Sequence, residues 1–221
     1  MTYVKICGCR TVEEALAARD AGADFVGVVF AESPRRVSPG TARRIAEALG
    51  CAGPTPTADV AGCRGGVAEL ENLLAIRRPL LVGVFEGQSS VKVEALSARA
   101  GIDVAQLHGG ARFDELAARR PVIRAIDASS FDHPAVSGRV MCMIDGSRGR
   151  GKRGDWDALA AVTSRIPVIL AGGLTPENVA EAVRRLRPWG VDVSSGVETV
   201  GRKDAAKMRA FVAAAKGAIQ Q

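Results

Sequence analysis

At 221 residues the chain can fill one large core, or at most two small domains. Apolar residues make up 47% and aromatics only 4%, so Ala, Val, Leu and Ile must carry the packing, which suits a layered parallel-sheet core. The five scattered cysteines do not form a disulfide framework, no apolar run is long enough to span a bilayer, and the net charge of +6 is mostly spread along helical stretches.

The first element is the β-branched run Tyr3-Val4-Lys5-Ile6-Cys7, closed by Gly8. No signal-peptide pattern precedes it, so a cytoplasmic protein is expected. Thr11-x-x-Glu14 is a capping box that opens a helix to about Ala21, with Gly22 as its stop. Asp24 to Phe30 is a nearly all-apolar strand, as expected where both faces are covered. Ser33-Pro34-Arg35-Arg36 follows in a loop, then Ser38-Pro39 starts a second helix, serine as cap and proline at the first position.

Residues 50–66 break the rhythm with prolines and glycines and are expected to form a loop inserted in one unit, not a domain boundary. An additional helix is expected over 67–77, making the insertion about 50–78 in all. Leu80 to Phe85 is the third strand, Asp103 to Leu107 the fourth, Pro121 to Ile126 the fifth and Arg139 to Ile144 the sixth. Helices are expected over 91–99, 113–119, 129–137 and 155–162. Pro167 to Ala171 is the seventh strand, Thr175-Pro176 caps a helix to Leu186, Val191 and Val193 belong to the eighth strand, and a helix from Ala205 to Lys216 closes the chain.

Eight strand–helix units in 221 residues leave about 27 per unit, enough for a single (β/α)8 barrel over the whole chain. An open doubly wound sheet is the competing architecture for any such alternation. The count of eight and the glycine loops after the last two strands favour closure.

The polar chemistry falls just after strands. Gly172-Gly173-Leu174-Thr175-Pro176 lets a ligand approach the backbone closely, and exposed N–H groups there favour an anion. Asp192-Val193-Ser194-Ser195-Gly196 repeats the arrangement one unit later. Each alone is equally a tight turn; together, after adjacent last strands, they point to a phosphate site. Gly146-x-x-x-x-Gly151-Lys152 is nearly a P-loop, but Arg153 stands where Ser or Thr must hold magnesium, so it is better read as a basic loop over an anionic ligand. Cys7 has two open readings: a small buried residue, or a rim thiol activated by Lys5 two positions earlier on the same side of the strand. Asp145 is either a turn cap or an acid facing that base. Cys7-x-Cys9 could be half a metal site, but His108 and His133 lack zinc-ligand spacing to it, so no metal is expected.

Lys5-Ile6-Cys7-Gly8, Gly27-Val28-Val29-Phe30 with Ser33-Pro34-Arg35-Arg36, Gly83-Val84-Phe85, Gln106-Leu107-His108-Gly109, Gly172 to Val179 and Asp192 to Glu198 together resemble the phosphoribosylanthranilate isomerase family, in the family's order. The resemblance implies a cofactor-free and metal-free Amadori rearrangement of N-(5'-phosphoribosyl)anthranilate to 1-(2-carboxyphenylamino)-1-deoxyribulose 5-phosphate in tryptophan synthesis. It implies Cys7 as general base at ribose C2', Asp145 as general acid at the ring oxygen, Arg36 facing the anthranilate carboxylate and Asp192 bonded to the sugar. Gly172, Gly173, Ser194, Ser195 and Gly196 match the phosphate site. The implied partner is a small phosphosugar, with no nucleic acid and no membrane, and the oligomeric state is left open.

The chain departs from the family pattern in the loop 148–156, with Gly154 where phenylalanine is expected, in the long segment between Gly50 and Pro79, and in Glu86-Gly87-Gln88 after Gly-Val-Phe. Three alternatives therefore stand beside the isomerase: a paralogue with drifted phosphosugar preference, a catalytically silent phosphosugar-binding barrel, and a nucleic-acid-binding protein using the Arg148–Arg153 loop. The last has little aromatic stacking surface to work with.

Overall fold

Eight parallel strands close on themselves in a computed structural model that describes residues 2–51, 66–109, 116–117, 119–127, 140–145 and 156–218. They are β1 (Tyr3–Cys7), β2 (Phe25–Val29), β3 (Leu80–Glu86), β4 (Val104–His108), β5 (Val122–Asp127), β6 (Val140–Asp145), β7 (Val168–Ala171) and β8 (Gly190–Val193). Each pairs with its successor, and β1 pairs with β8, setting Tyr3 opposite Gly190 and Lys5 opposite Asp192. That last pairing decides against the open sheet: the fold is a (β/α)8 barrel.

The described helices are α1 (Val12–Asp20), α2 (Pro39–Ala48), α3 (Gly66–Ile76), α4 (Ser90–Ala100), α5 (Trp156–Thr163), α6 (Val179–Leu186) and α7 (Ala205–Gly217). A short hairpin, β9 (Glu198–Thr199) and β10 (Arg202–Lys203), follows β8. The helix expected over 129–137 and the basic loop 148–153 lie outside the described residues, as do most of 50–66 and of 113–119.

The strand period of two sorts side chains into two cores. Outward residues such as Val4, Ile6, Val26 and Val28 join Ala15, Ala18, Phe211 and Val212 of the surrounding helices. Inward residues Phe25, Leu80, Val82, Val104, Ile123, Met141 and Ile169 fill the barrel. Both faces are covered, which is why the strands read as continuous apolar runs.

Helix α3 belongs to the inner core. Its Leu70, Leu73 and Leu74 pack with the barrel interior, Glu71 accepts from Trp189 Nε1 at 3.0 Å just before β8, and Arg77 pairs with Asp103 just before β4. Both polar ties are at the ends where strands begin, so α3 lies across the bottom of the barrel. Burying its three leucines contributes about 1.5–3 kcal/mol apiece. The helix expected from the sequence is present; its use as a plug is a finding of the tertiary structure.

The caps follow the sequence with two differences. Ser38 accepts from Thr41 N and Pro39 begins α2, as expected. Thr11 accepts from Glu14 N, but Glu14 reaches back to Arg10 N, one residue before the cap, while its other oxygen accepts from Arg202. The second difference is a correction: Thr175-Pro176 does not cap a helix. The helix α6 starts only at Val179, and Asn178 spends its side chain on the preceding turn, accepting from Thr175 N at 2.8 Å and donating to Gly173 O at 2.9 Å.

Candidate active site

A cavity of about 310 Å³ opens at the rim where the strands end. One side is apolar, with Val29, Ala31 and Val84; the other carries Asp145, Asp192 and the two loops after β7 and β8. Strand parity explains the acids. Asp145 ends β6 on the inward register of Met141 and Met143, and Asp192 stands in line with Lys5 across the β1–β8 seam.

Lys5 is the buried cation of this site. Its ammonium donates to Asp192 Oδ1 at 2.7 Å and also bonds toward Cys7. Burial alone would push the ammonium's pKa down, but Asp192 and then Cys7 more than offset this and hold it above the ordinary lysine value. Lys5 therefore stays charged.

Cys7 is buried and is not itself among the cavity-lining residues, but it packs with Val29, Ala31 and Val84, which are. Room for its thiol comes from β2: a Cβ at Gly27 would stand 2.9 Å from Cys7 Sγ and 3.0 Å from Cys7 Cα. Cys9, two residues on, is a different case. Burial pushes its thiol up to about 12, so it remains protonated.

The glycine loops interlock. Gly172 and Gly173 both take positive φ, 94° and 67°, a backbone that side chains resist. Gly196 lies so close to the Leu174 carbonyl that a Cβ there would overlap it. Ser194, Ser195, Gly196, Gly172 and Gly173 all line the cavity.

The two loop arginines differ. Arg35 lines the cavity, yet its guanidinium is committed to Glu198 through Nε and Nη2, each at 2.7 Å. Arg36 is exposed and not among the cavity-lining residues; its backbone pairs with Val29 and its N–H closes a turn on Ser33 O.

His108 and Gln106 joined the sequence motifs without an assigned role. They sit on the inward register of β4, 2.9 Å apart between side-chain nitrogens, and His108 lines the cavity. Burial, and next the charge of Lys5, hold the imidazole below its ordinary value, so it is neutral at pH 7. The available signal was its position: a histidine at a strand's end before a glycine. Among the described residues no group of three or more His, Cys, Asp or Glu side chains is placed to hold a metal.

The model for N-(5'-phosphoribosyl)anthranilate (PRA) isomerase matches residues 56–214. The chain belongs to the phosphoribosylanthranilate isomerase family. The N-(5'-phosphoribosyl)anthranilate isomerase of Roseiflexus sp. (strain RS-1) is 42% identical over 232 aligned residues, covering 100% of both chains. Among solved structures, phosphoribosyl anthranilate isomerase of Thermotoga maritima is 31% identical with a TM-score of 0.76, covering 98% of this chain and 100% of that one. A phosphoribosyl anthranilate isomerase in complex with reduced 1-(o-carboxyphenylamino)-1-deoxyribulose 5-phosphate is 30% identical with a TM-score of 0.73, at 98% and 100% coverage. Family membership and the barrel agree with the sequence reading, and the cavity of this isomerase-family chain lies at the rim where such barrels bind their ligands.

Proposed function

We propose that the chain isomerises N-(5'-phosphoribosyl)anthranilate to 1-(2-carboxyphenylamino)-1-deoxyribulose 5-phosphate in tryptophan biosynthesis, using its side chains alone. The observation that carries this reading is the convergence of two carboxylates and two glycine loops on one cavity, with the Cys7 thiol packed against its apolar wall and the Lys5 ammonium bonded to Asp192, in a chain of this family.

Asp145 is assigned the general acid. Its proton goes to the furanose ring oxygen as the C1'–O bond breaks, and the nitrogen lone pair forms the iminium. Cys7 is assigned the general base: it takes the C2' proton, and those electrons neutralise the iminium to give the enolamine. Tautomerisation then returns a proton to C1' and leaves the ketone at C2'. Lys5, which bonds toward the thiol, places a positive charge beside it. The neutral sulfur of Cys9 supports choosing Cys7.

Asp192 is assigned the sugar contact, with one oxygen held by Lys5 and the residue facing the cavity. Gly172, Gly173, Ser194, Ser195 and Gly196 are assigned the phosphate. The apolar wall of Val29, Ala31 and Val84 suits an aromatic ring. Arg36 is assigned the anthranilate carboxylate, and the commitment of Arg35 to Glu198 supports that choice between the two.

The chain is read as one domain, with 50–78 an insertion whose helix seals the barrel floor. No described helix is long and apolar enough to cross a membrane, and a cytoplasmic location fits a biosynthetic enzyme.

The test is a steady-state assay of purified protein with phosphoribosylanthranilate generated in situ, alongside Cys7→Ala and Asp145→Asn. Wild-type turnover with both variants inactive is expected, because acid and base act in the transition state. Near wild-type turnover in Cys7→Ala sinks the assignment of the base, and full activity of Asp145→Asn shows that another group or water delivers the proton.

A further inference from the structure

One carboxylate joins the loops at the two ends of the proposed substrate. Glu198 Oε1 accepts from Arg35 Nε and from Lys203 Nζ, both at 2.7 Å, and Oε2 accepts from Arg35 Nη2 at 2.7 Å. Lys203 also donates to Ser194 O at 3.0 Å, so the same ammonium fixes the backbone of the loop after β8. Arg35 crosses over the turn after β1 to get there. A Cβ at Gly8 would lie 2.5 Å from Arg35 Cδ, so that turn must be glycine for the arginine to pass. From the other side, Lys207 Nζ donates to Glu198 O at 2.9 Å and anchors the hairpin to α7.

The burial makes this more than a surface ion pair. The side chains of Glu198 and Lys203 are 8% and 1% exposed, and Arg35 is 26% exposed. Fork-shaped bonds from guanidinium to carboxylate fix orientation as well as distance.

We propose that Glu198 is a positioning residue that couples the loop bearing Arg36 to the phosphate loop Ser194–Gly196, so that the aromatic and phosphate ends of the substrate are held in one arrangement. The proposal rests on the reading that these two loops bind those two ends. Loosening the bond at Arg35, on the far side of β1, should then be felt at the phosphate.

The charge of Glu198 gives the test a sign. Removing a carboxylate beside a phosphate site strengthens anion binding if simple electrostatics governs. If positioning governs, the same change weakens it. Inorganic phosphate is titrated into the full-length protein by calorimetry, for wild type, Glu198→Gln and Arg35→Lys, which keeps the charge but loses the fork. Both variants are expected to bind phosphate about tenfold more weakly, within the range of direct coupling between contacting residues. Their KM for phosphoribosylanthranilate should rise more than kcat falls. Unchanged or tighter phosphate binding in Glu198→Gln overturns the proposal, as does wild-type affinity in Arg35→Lys.

Amide hydrogen exchange is measured on the same samples. Faster exchange at Arg36, Val37 and Val197 in both variants is expected, while helix amides in α4 keep their protection and report an intact fold. If wild type itself does not bind phosphate, the phosphate-loop reading fails, and exchange alone decides the coupling: wild-type rates at those three amides overturn it.

Discussion

The Lys5–Asp192 pair is an asymmetric ion pair, and the asymmetry can be measured. Lys5 is 1% exposed, whereas Asp192 is 12% exposed at an open cavity. Asp192→Asn leaves a fully buried ammonium with a neutral amide acceptor and its contact with Cys7. Breaking a buried pair from one side costs about 3–5 kcal/mol, and the retained amide oxygen puts the expectation near the lower end. Lys5→Met removes the cation and leaves a carboxylate that water can reach, so a smaller loss is expected, roughly 1–2 kcal/mol.

The pH dependence adds a second reading of the same pair. In the wild type the Lys5 pKa is raised, so its contribution is fully present below the unfolded lysine value and is lost as pH rises through the folded one. Without Asp192, burial is the largest influence on it and lowers it, opposed by Cys7 alone. The unfolded state of Asp192→Asn then binds more protons than the folded state, and stability rises with pH toward about 10.4. Urea unfolding near neutral pH and at about pH 9.5, where the lysine begins to titrate, measures both effects. A loss under about 1 kcal/mol for Asp192→Asn with no rise on going alkaline, or a larger loss for Lys5→Met, would refute the reasoning.

Arg36→Ala should raise KM by the equivalent of about 1.5–3 kcal/mol, the worth of a hydrogen bond to a charged partner, with kcat changing less; a weakened kcat at unchanged KM contradicts its role. Gly27→Ala should displace the Cys7 thiol, lowering kcat about a hundredfold while phosphate affinity stays within a few-fold, as turnover and phosphate titration will show. Gly196→Ala must part the loops after β7 and β8, because the new methyl meets backbone; phosphate binding should weaken about tenfold or more, by the same titration. Arg35 and Lys203 overcome burial to hold the Glu198 carboxyl at about 2, so its contribution is present above the ordinary value of 4.5 and lost as pH falls toward about 2. Glu198→Gln should therefore flatten the acid limb of stability, read from thermal midpoints across that window.

The sequence by itself determined the order and type of the elements, because periodicity and capping are local. A β-branched run, Ser38 before Pro39, and Gly101 in the left-handed conformation after α4 each act on residues a few positions away. It also placed Cys7, Asp145 and Asp192 at or near strand ends, which a parallel barrel turns into one rim. Where local chemistry had two uses, the reading failed: Asn178 was free to bond the turn behind it, and α6 begins later than its Thr-Pro pair suggests. Tertiary structure alone decided the pairings. Lys5 meets Asp192 across 187 positions and Arg35 meets Glu198 across 163, because closing β1 on β8 brings the two ends of the chain together. The helix α3 could have packed outside like its neighbours; only the empty floor of a closed barrel gives its leucines a better place to be buried.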